Sequence, residues 1–177
     1  MKKITIGLFA LVALLLAFSA NAQAVNQENE NPTAVVGTFD SRAIAVAYVR
    51  SNRFDKRMKQ LQASLEKAMK SGDQKSIALL KAEGPKIQAK IHKQGFGTAS
   101  VEGILDLVRH KLPPLAKETG VELIVSKWVM TYTDPKAEFV DITDELAALF
   151  NPDEATLKVI EELVATEPIS DEELDKH

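Results

Sequence analysis

Apolar side chains recur at steps of three and four through the first half of the chain. This spacing runs through residues 41–70 and resumes over residues 77–91, which predicts two amphipathic helices. Residues 71–73 are Ser-Gly-Asp, which is typical of a turn between antiparallel helices. Gly84 and Pro85 interrupt the second helix. We expect a kink or a helix boundary there, because proline removes one backbone hydrogen bond and strains the preceding turn.

Short runs of β-forming residues predict a small sheet. Residues 35–39 read Val-Val-Gly-Thr-Phe, and residues 121–125 read Val-Glu-Leu-Ile-Val, a run typical of a buried strand. Residues 128–132, Trp-Val-Met-Thr-Tyr, predict a further strand, and Thr-Asp-Pro at 133–135 predicts a turn after it.

Capping residues place the remaining helices. A helix beginning near residue 100 must kink or restart at its two consecutive prolines and should end at Gly120, a good C-cap residue. Asp141 or Thr143 is expected to cap the next helix, and residues 151–153 begin another. The predicted fold class is α+β, with a small β body, a long α-helical hairpin arm and a C-terminal helical extension.

The first residues have the pattern of a secretory signal peptide. Met-Lys-Lys is followed by an uncharged apolar run over residues 4–18, and Ala20 and Ala22 fit the small-x-small cleavage pattern. A membrane anchor is the alternative, but the run is shorter than the roughly 20 residues of a helical span. We expect cleavage near Ala22 and a periplasmic protein with no integral membrane span in the mature chain.

The domain prediction follows from these patterns and from a polar segment without periodicity after the cleavage site. Its parts are a signal peptide (1–22), a flexible linker (23–33), one domain (34–150) with a β body (34–40 and 120–150) and a helical arm (41–119), and an acidic helical extension and tail (151–177).

Charge is distributed unevenly along the chain. Residues 41–93 contain thirteen Lys or Arg against four Asp or Glu, whereas residues 133–177 contain three basic and fourteen acidic residues. An asymmetry of this size favours an interaction role for the charged faces. The alternative is a solvated basic helix followed by an acidic tail.

No catalytic constellation is evident, and we predict a protein that is not an enzyme and needs no cofactor. The sequence has no cysteine, which excludes a disulfide framework. His92, His110 and His177 are scattered without metal-ligand spacing. Asp141, Asp144 and Glu145 could hold a cation, but helix capping explains them better. Nucleic acid is a poor partner for an exported chain.

The order of the elements, together with the export signal, resembles the OmpH/Skp family of periplasmic chaperones. The resemblance covers roughly residues 34–150, and residues 120–150 match best: GVELIVSKWVMTYTDPKAEFVDITDELAALF. Residues 35–39 correspond to the partner strand that feeds a lysine-rich helical arm. The stretch between the outer strands is shorter than in the best-known members, so the resemblance is to a divergent member with a shortened arm.

The resemblance implies a homotrimer and a holdase. In that family the strands of three chains form a central β body, and helical hairpins project from it around an unfolded outer-membrane protein, without ATP. No catalytic residues are transferred by the resemblance. The implied partners are unfolded outer-membrane or exported proteins.

A holdase needs adaptable apolar side chains on a soluble surface. Methionine and leucine adapt to varied partners, and lysines keep the arm soluble and steer acidic clients. The candidate client-binding residues are Met58, Leu61, Leu65, Met69, Lys56, Lys59, Lys67 and Lys70. The alternative for each apolar residue is packing within the hairpin or between protomers.

Two other functional hypotheses remain open. One is a non-catalytic interaction or structural module of the envelope with the same fold, which the interrupted arm and the acidic extension favour. The other is an enzyme, which only scattered polar residues support.

Overall fold

The computed structural model describes residues 34–174 and Lys176. The predicted signal peptide, the cleavage residues Ala20 and Ala22, the linker and His177 lie outside the described residues.

The described chain combines a small sheet with a larger helical part, which confirms the predicted α+β class. In chain order the elements are β1 (Val36–Phe39), α1 (Ser41–Val49), α2 (Asn52–Ser71), α3 (Gln74–Phe96), α4 (Glu102–Leu105), a 3-10 helix (Asp106–Lys111), α5 (Leu112–Thr119), β2 (Leu123–Ser126), β3 (Phe139–Asp141), α6 (Thr143–Ala148), α7 (Glu154–Val164) and α8 (Asp171–Leu174).

The sheet has three parallel strands in the order β2-β1-β3. Val36 is in register with Leu123 on one side and with Phe139 on the other. The early strand therefore pairs with residues 123–126, as predicted. Because both pairings are parallel, the carboxyl ends of all three strands meet at one edge of the sheet.

One predicted strand is wrong. Residues 128–132 form a turn and irregular backbone, and the third strand is Phe139–Asp141 instead. Trp128 has left the sheet to pack against charged side chains at its carboxyl edge, with its ring centroid 4.5 Å from Lys127 Nζ. Cation–π contact of a half-buried indole, together with its hydrogen bond to Asp40, outweighs β-propensity here.

The predicted helix over residues 41–70 is two helices. Ser51 separates them: its hydroxyl donates to the Tyr48 carbonyl at 2.5 Å and accepts from the Phe54 amide at 3.4 Å. A serine that satisfies free amides in this way is a typical N-cap. The first of the two helices belongs to the core and not to the arm.

Helix α1 is the centre of that core. Ala43, Ala45 and Ala47 are buried with Ile44 and Tyr48. Small side chains all round the helix allow neighbours to approach closely, and a helix that is apolar on every side is a buried one. The neighbours include α3, α6 and α7, so the predicted acidic extension packs on the body through Thr156 and Ile160.

Helix α3 continues through Pro85, so no helix boundary occurs at the predicted interruption. The residue before a proline normally avoids the helical region because its Cβ meets the proline ring. Gly84 has no Cβ, which removes that part of the clash with the proline ring. By contrast, the predicted restart at the double proline occurs, since α5 begins at Leu112 with prolines in its first turn and ends at Gly120 with φ +73°.

Replacing Gly37 tests the packing between the sheet and the core. A Cβ at this position would lie 3.0 Å from side-chain atoms of both Ile142 and Val121. We expect Gly37→Val to lower the free energy of unfolding by about 1–3 kcal/mol through overpacking, measured by urea denaturation. Gly95→Ala is the control, because a Cβ there meets no atom within 4 Å. Equal losses in the two variants would contradict this packing.

Candidate functional site

The predicted client-binding residues lie on a helical hairpin made of α2 and α3. Gly72 adopts a left-handed conformation with φ +70° at the turn, and the Asp73 carboxylate accepts from the Ser76 amide at 3.1 Å to cap α3. The two helices are antiparallel, with Arg57 of α2 3.9 Å from Glu83 of α3.

An open apolar groove runs between the two helices. We call it the hairpin groove; it has a volume of about 500 Å³ and is lined by Asp55, Met58, Lys59, Leu61, Gln62, Leu65, Leu80, Lys81 and Gly84. Met58, Leu61 and Leu65 are half-buried. A Cβ on Gly84 would meet no atom within 4 Å, so the α3 side of the groove is open at this glycine.

The structure brings three of the four predicted apolar residues together and separates the fourth. Met69 lies beyond the groove near the turn and is 56% exposed. The four predicted lysines, Lys56, Lys59, Lys67 and Lys70, are all exposed. In the described part of the chain none of these four lies within ion-pair distance of a carboxylate, so their charges face solvent uncompensated.

Sequence reasoning missed a buried polar cluster at the carboxyl edge of the sheet. Asp40, directly after β1, pairs with Arg42, and both side chains are 1% exposed. The guanidinium is bidentate: Nη2 lies 2.8 Å from Oδ2 and Nε 3.1 Å from Oδ1. Asp40 also caps α1, since Oδ1 accepts from the Arg42 amide at 3.0 Å.

Residues that follow β2 complete the coordination of this carboxylate. Lys127 Nζ lies 2.9 Å from Asp40 Oδ2, and the Trp128 indole N–H donates to Oδ1 at 3.4 Å. The indole ring also lies against both cations, with Arg42 Cζ 5.3 Å from its centroid. The turn after β2 is therefore held by these charged contacts as well as by the Lys127 amide, which donates to the Phe39 carbonyl at 3.0 Å.

The cluster extends to β3 and to the C-terminal region. The Asp40 amide donates to Thr143 Oγ1 at 3.0 Å, and the Thr143 hydroxyl donates to Asp141 at 2.5 Å. Arg42 Nη2 donates to the Thr166 carbonyl at 2.9 Å. Both cations of the cluster, Arg42 and Lys127, are paired with the Asp40 carboxylate, which suits a structural role.

Several opposing influences set the pKa of Asp40. Burial is the largest of them and raises the pKa, but hydrogen bonds from Arg42 and Lys127, together with the Arg42 charge, hold it below its usual 3.8. A depressed carboxylate pKa stabilises the folded state at neutral pH. That stabilisation is lost as the pH falls below about 3.8 and through the lower folded-state pKa.

The acidic residues considered as a cation site lie at the start of α6, with Asp144 and Glu145 in its first turn. Asp141 accepts from the Thr143 amide at 2.9 Å, at the start of α6. A cavity of about 260 Å³ lies beside it, lined by Lys127, Asp141, Thr143, Asp144, Glu145 and Val164. Over residues 34–174 no three His, Cys, Asp or Glu side chains are grouped to hold a metal ion.

A second surface that sequence reasoning missed is the outer face of the sheet. Alternation places Leu123, Val125 and Phe139 on the face away from the core. Leu123 is 54% exposed and Phe139 39% exposed. The strand periodicity of the sequence could have identified this face only if the third strand had been predicted at its true position.

Comparison of the chain with known protein families, curated proteins and solved structures found no significant match in any of the three. The resemblance to the OmpH/Skp family thus stays a prediction from the sequence.

The buried pair can be tested against an exposed pair of the same type. Asp40→Asn leaves the Arg42 guanidinium buried without its counter-charge, so we expect the free energy of unfolding at pH 7 to fall by about 3–5 kcal/mol. Asp106→Asn is the matched control, because the Asp106–Arg109 pair is exposed. We expect that variant to lose less than about 1 kcal/mol in urea denaturation.

The same two variants give the pH dependence. The difference in the free energy of unfolding between wild type and Asp40→Asn should become smaller as the pH falls below about 3.8. The wild-type carboxylate becomes protonated as the pH falls through its lowered pKa, and it then loses its charge as the variant has. A difference that is independent of pH, or equal losses in the two variants at pH 7, would refute the assigned role of Asp40.

Proposed function

We propose that this chain is a periplasmic, ATP-independent holdase that binds unfolded outer-membrane or exported proteins through its helical hairpin. The observation that supports it best is the hairpin groove, a half-exposed apolar strip between two helices. It is flanked by Lys56, Lys59, Lys67 and Lys70, which make no ion pair within the part of the chain that the structure describes. The role is binding, with no catalytic step and no cofactor.

The chemistry of the groove suits weak and varied binding. Leucine and methionine side chains that are already half-buried gain only part of the roughly 1.5–3 kcal/mol of full burial each. A client segment that covers two or three of them gains a few kcal/mol, which gives reversible contacts. Methionine is flexible and accepts different shapes, and the lysines attract acidic clients over longer distances.

The length of the hairpin limits how much of a client it can cover. Helices α2 and α3 have 20 and 23 residues, so the hairpin is about 30–35 Å long at 1.5 Å per residue. An arm of this length shields a segment of an unfolded chain. Several arms from one assembly are needed to surround a client.

An assembly is supported by the outer face of the sheet. Parallel sheets are almost always covered on both faces, yet here Leu123 and Phe139 are left exposed on one of them. We propose that this face joins protomers in a homotrimer, with the hairpins projecting from the common body. Covering the face also protects apolar side chains that otherwise promote non-specific association.

Export to the periplasm is proposed from the signal-peptide pattern of residues 1–22. Among the residues that the structure describes, no helix is both long enough and apolar enough to cross a membrane. Unfolded exported proteins pass through the periplasm, so a binding protein in that compartment meets its clients there.

A second candidate is a non-catalytic envelope module with one folded partner. The packing of the acidic helix α7 onto α1 favours it, because an acidic surface on a rigid body suits a fixed partner. Stoichiometric recovery of one folded protein in a pull-down, without unfolded clients, would favour this candidate over the holdase.

Substitution of two leucines that line the hairpin groove tests the proposed holdase function. We expect Leu61→Gln/Leu65→Gln to weaken suppression of the aggregation of an unfolded β-barrel protein, measured by light scattering. The loss of about 1–2 kcal/mol of apolar contact corresponds to about a tenfold higher concentration for equal suppression.

Ala63→Gln is the matched control for the groove. Ala63 is exposed and lies two residues from both leucines, which places it on the opposite flank of α2. This variant adds glutamine on the same helix but removes no groove surface, so it should suppress aggregation like wild type. No suppression by wild type at several-fold molar excess, or equal activity of both variants, would count against the holdase.

The oligomeric state tests the sheet face. We expect light scattering to give the mass of a trimer for the mature protein, and Leu123→Asp/Phe139→Asp to give a folded monomer, because a buried carboxylate opposes apolar contact. Leu107→Asp is the control: Leu107 is 39% exposed, as Phe139 is, but lies in the 3-10 helix. A monomeric wild type, or dissociation by the control alone, would contradict the proposed interface.

A further inference from the structure

Helix α7 carries an apolar groove with acidic walls. We call it the α7 groove; it has a volume of about 1000 Å³ and is lined by Asp144, Glu154, Ala155, Leu157, Lys158, Glu161 and Val164. Leu157 and Val164 are exposed in it. Three carboxylates against one ammonium group leave the groove negative, so it fits an apolar ligand that carries positive charge.

The end of the hairpin has the complementary character. We define the hairpin tip as residues 67–79. Met69 and Leu79 are 56% and 65% exposed there, and Lys67, Lys70 and Lys75 are exposed around them. Asp73 is the tip's acidic residue, and it is occupied as the cap of α3 through Ser76.

Within one chain these two surfaces do not meet. Helix α2 holds the tip about 30 Å from its own base, and only Ala68 of its residues is buried. Helix α7 is fixed to the body by its packing on α1. Tip and groove are both exposed, so their contact requires two molecules.

We propose that the α7 groove binds the hairpin tip of a second copy of this chain. Two apolar side chains of the tip enter beside Leu157 and Val164, and the tip lysines face Glu154 and Glu161. Such a contact joins two different surfaces and is heterologous. It therefore produces rings or chains of molecules and is separate from the contact proposed for the sheet face.

Charge reversal on either side tests this pairing. Glu154→Lys/Glu161→Lys makes the groove positive, and Lys70→Glu/Lys75→Glu makes the tip negative. We expect the wild-type mass from sedimentation velocity to rise with protein concentration at low salt, above its salt-insensitive value, and to return to that value at high salt because exposed charges are screened.

Each reversed variant alone should associate at least about tenfold more weakly than wild type. Lys56→Glu/Lys59→Glu is the matched control, with the same charge change nearer the base of α2, and it should associate like wild type. Circular dichroism establishes that all variants keep their helix content.

A one-to-one mixture of the two reversed variants gives the decisive result. Positive grooves then meet negative tips and negative grooves meet positive tips, so association should return in the mixture. A wild type whose mass shows no salt-sensitive rise, variants that associate like wild type, or a mixture that does not regain association would each overturn the proposal.

The test of the tip–groove contact can be distinguished from the test of the sheet-face interface. Loss of the sheet-face contact changes the salt-insensitive mass, whereas loss of the tip–groove contact removes the salt-sensitive rise above it. Failure of one measurement therefore leaves the other interpretable.

Discussion

The buried ion pair between Asp40 and Arg42 fixes the arrangement of the body. It lies where β1 becomes α1, and its carboxylate is shared with Lys127 after β2. The guanidinium reaches the Thr166 carbonyl beyond α7. A pair of this kind costs desolvation energy, so its contribution to net stability is smaller than its geometry suggests. Its consequence is specificity, because few other arrangements satisfy both charges at once.

This constraint divides the chain into a rigid part and a solvated part. Helix α1 is buried by neighbours on all sides, and β1 is held between two parallel strands. In α2, by contrast, Ala68 is the buried residue of twenty. Helices with little buried surface open more readily than a core does. An arm of low local stability on a fixed body suits the proposed binding of irregular clients.

The sequence predicted the elements with strong local signals. The hairpin turn at Gly72 and the cap at Gly120 follow from turn chemistry, and the strands near residues 36 and 123 follow from their β-forming residues. The pairing of those two strands was expected from the family resemblance. Three features of the structure were predicted wrongly or missed. Trp128 sits in a run of β-forming residues, but its contacts with Arg42 and Lys127 remove that run from the sheet.

The missed break at Ser51 had a visible signal, since serine is a favoured N-cap, but the apolar spacing continued across it. The sequence signal for the buried ion pair was weaker: an aspartate two residues before an arginine, directly after a strand. Burial of both charges depends on residues more than 80 positions away, including Lys127 and Thr166. Met58, Leu61 and Leu65 line one groove because a helical stripe is a local property of the sequence. Whether that stripe binds clients is a question that local pattern does not answer.

Hydrogen exchange measured on the mature protein, alone and with an unfolded β-barrel client, is the most direct test of client binding by a loosely packed hairpin on a rigid body. We expect slow exchange in α1 and β1 under both conditions and fast exchange in α2 and in the part of α3 that lies away from α1 in the free protein. Protection should increase along the hairpin groove when the client is present. Protection by the client that is confined to the body, or no added protection in the hairpin, would contradict client binding by the hairpin.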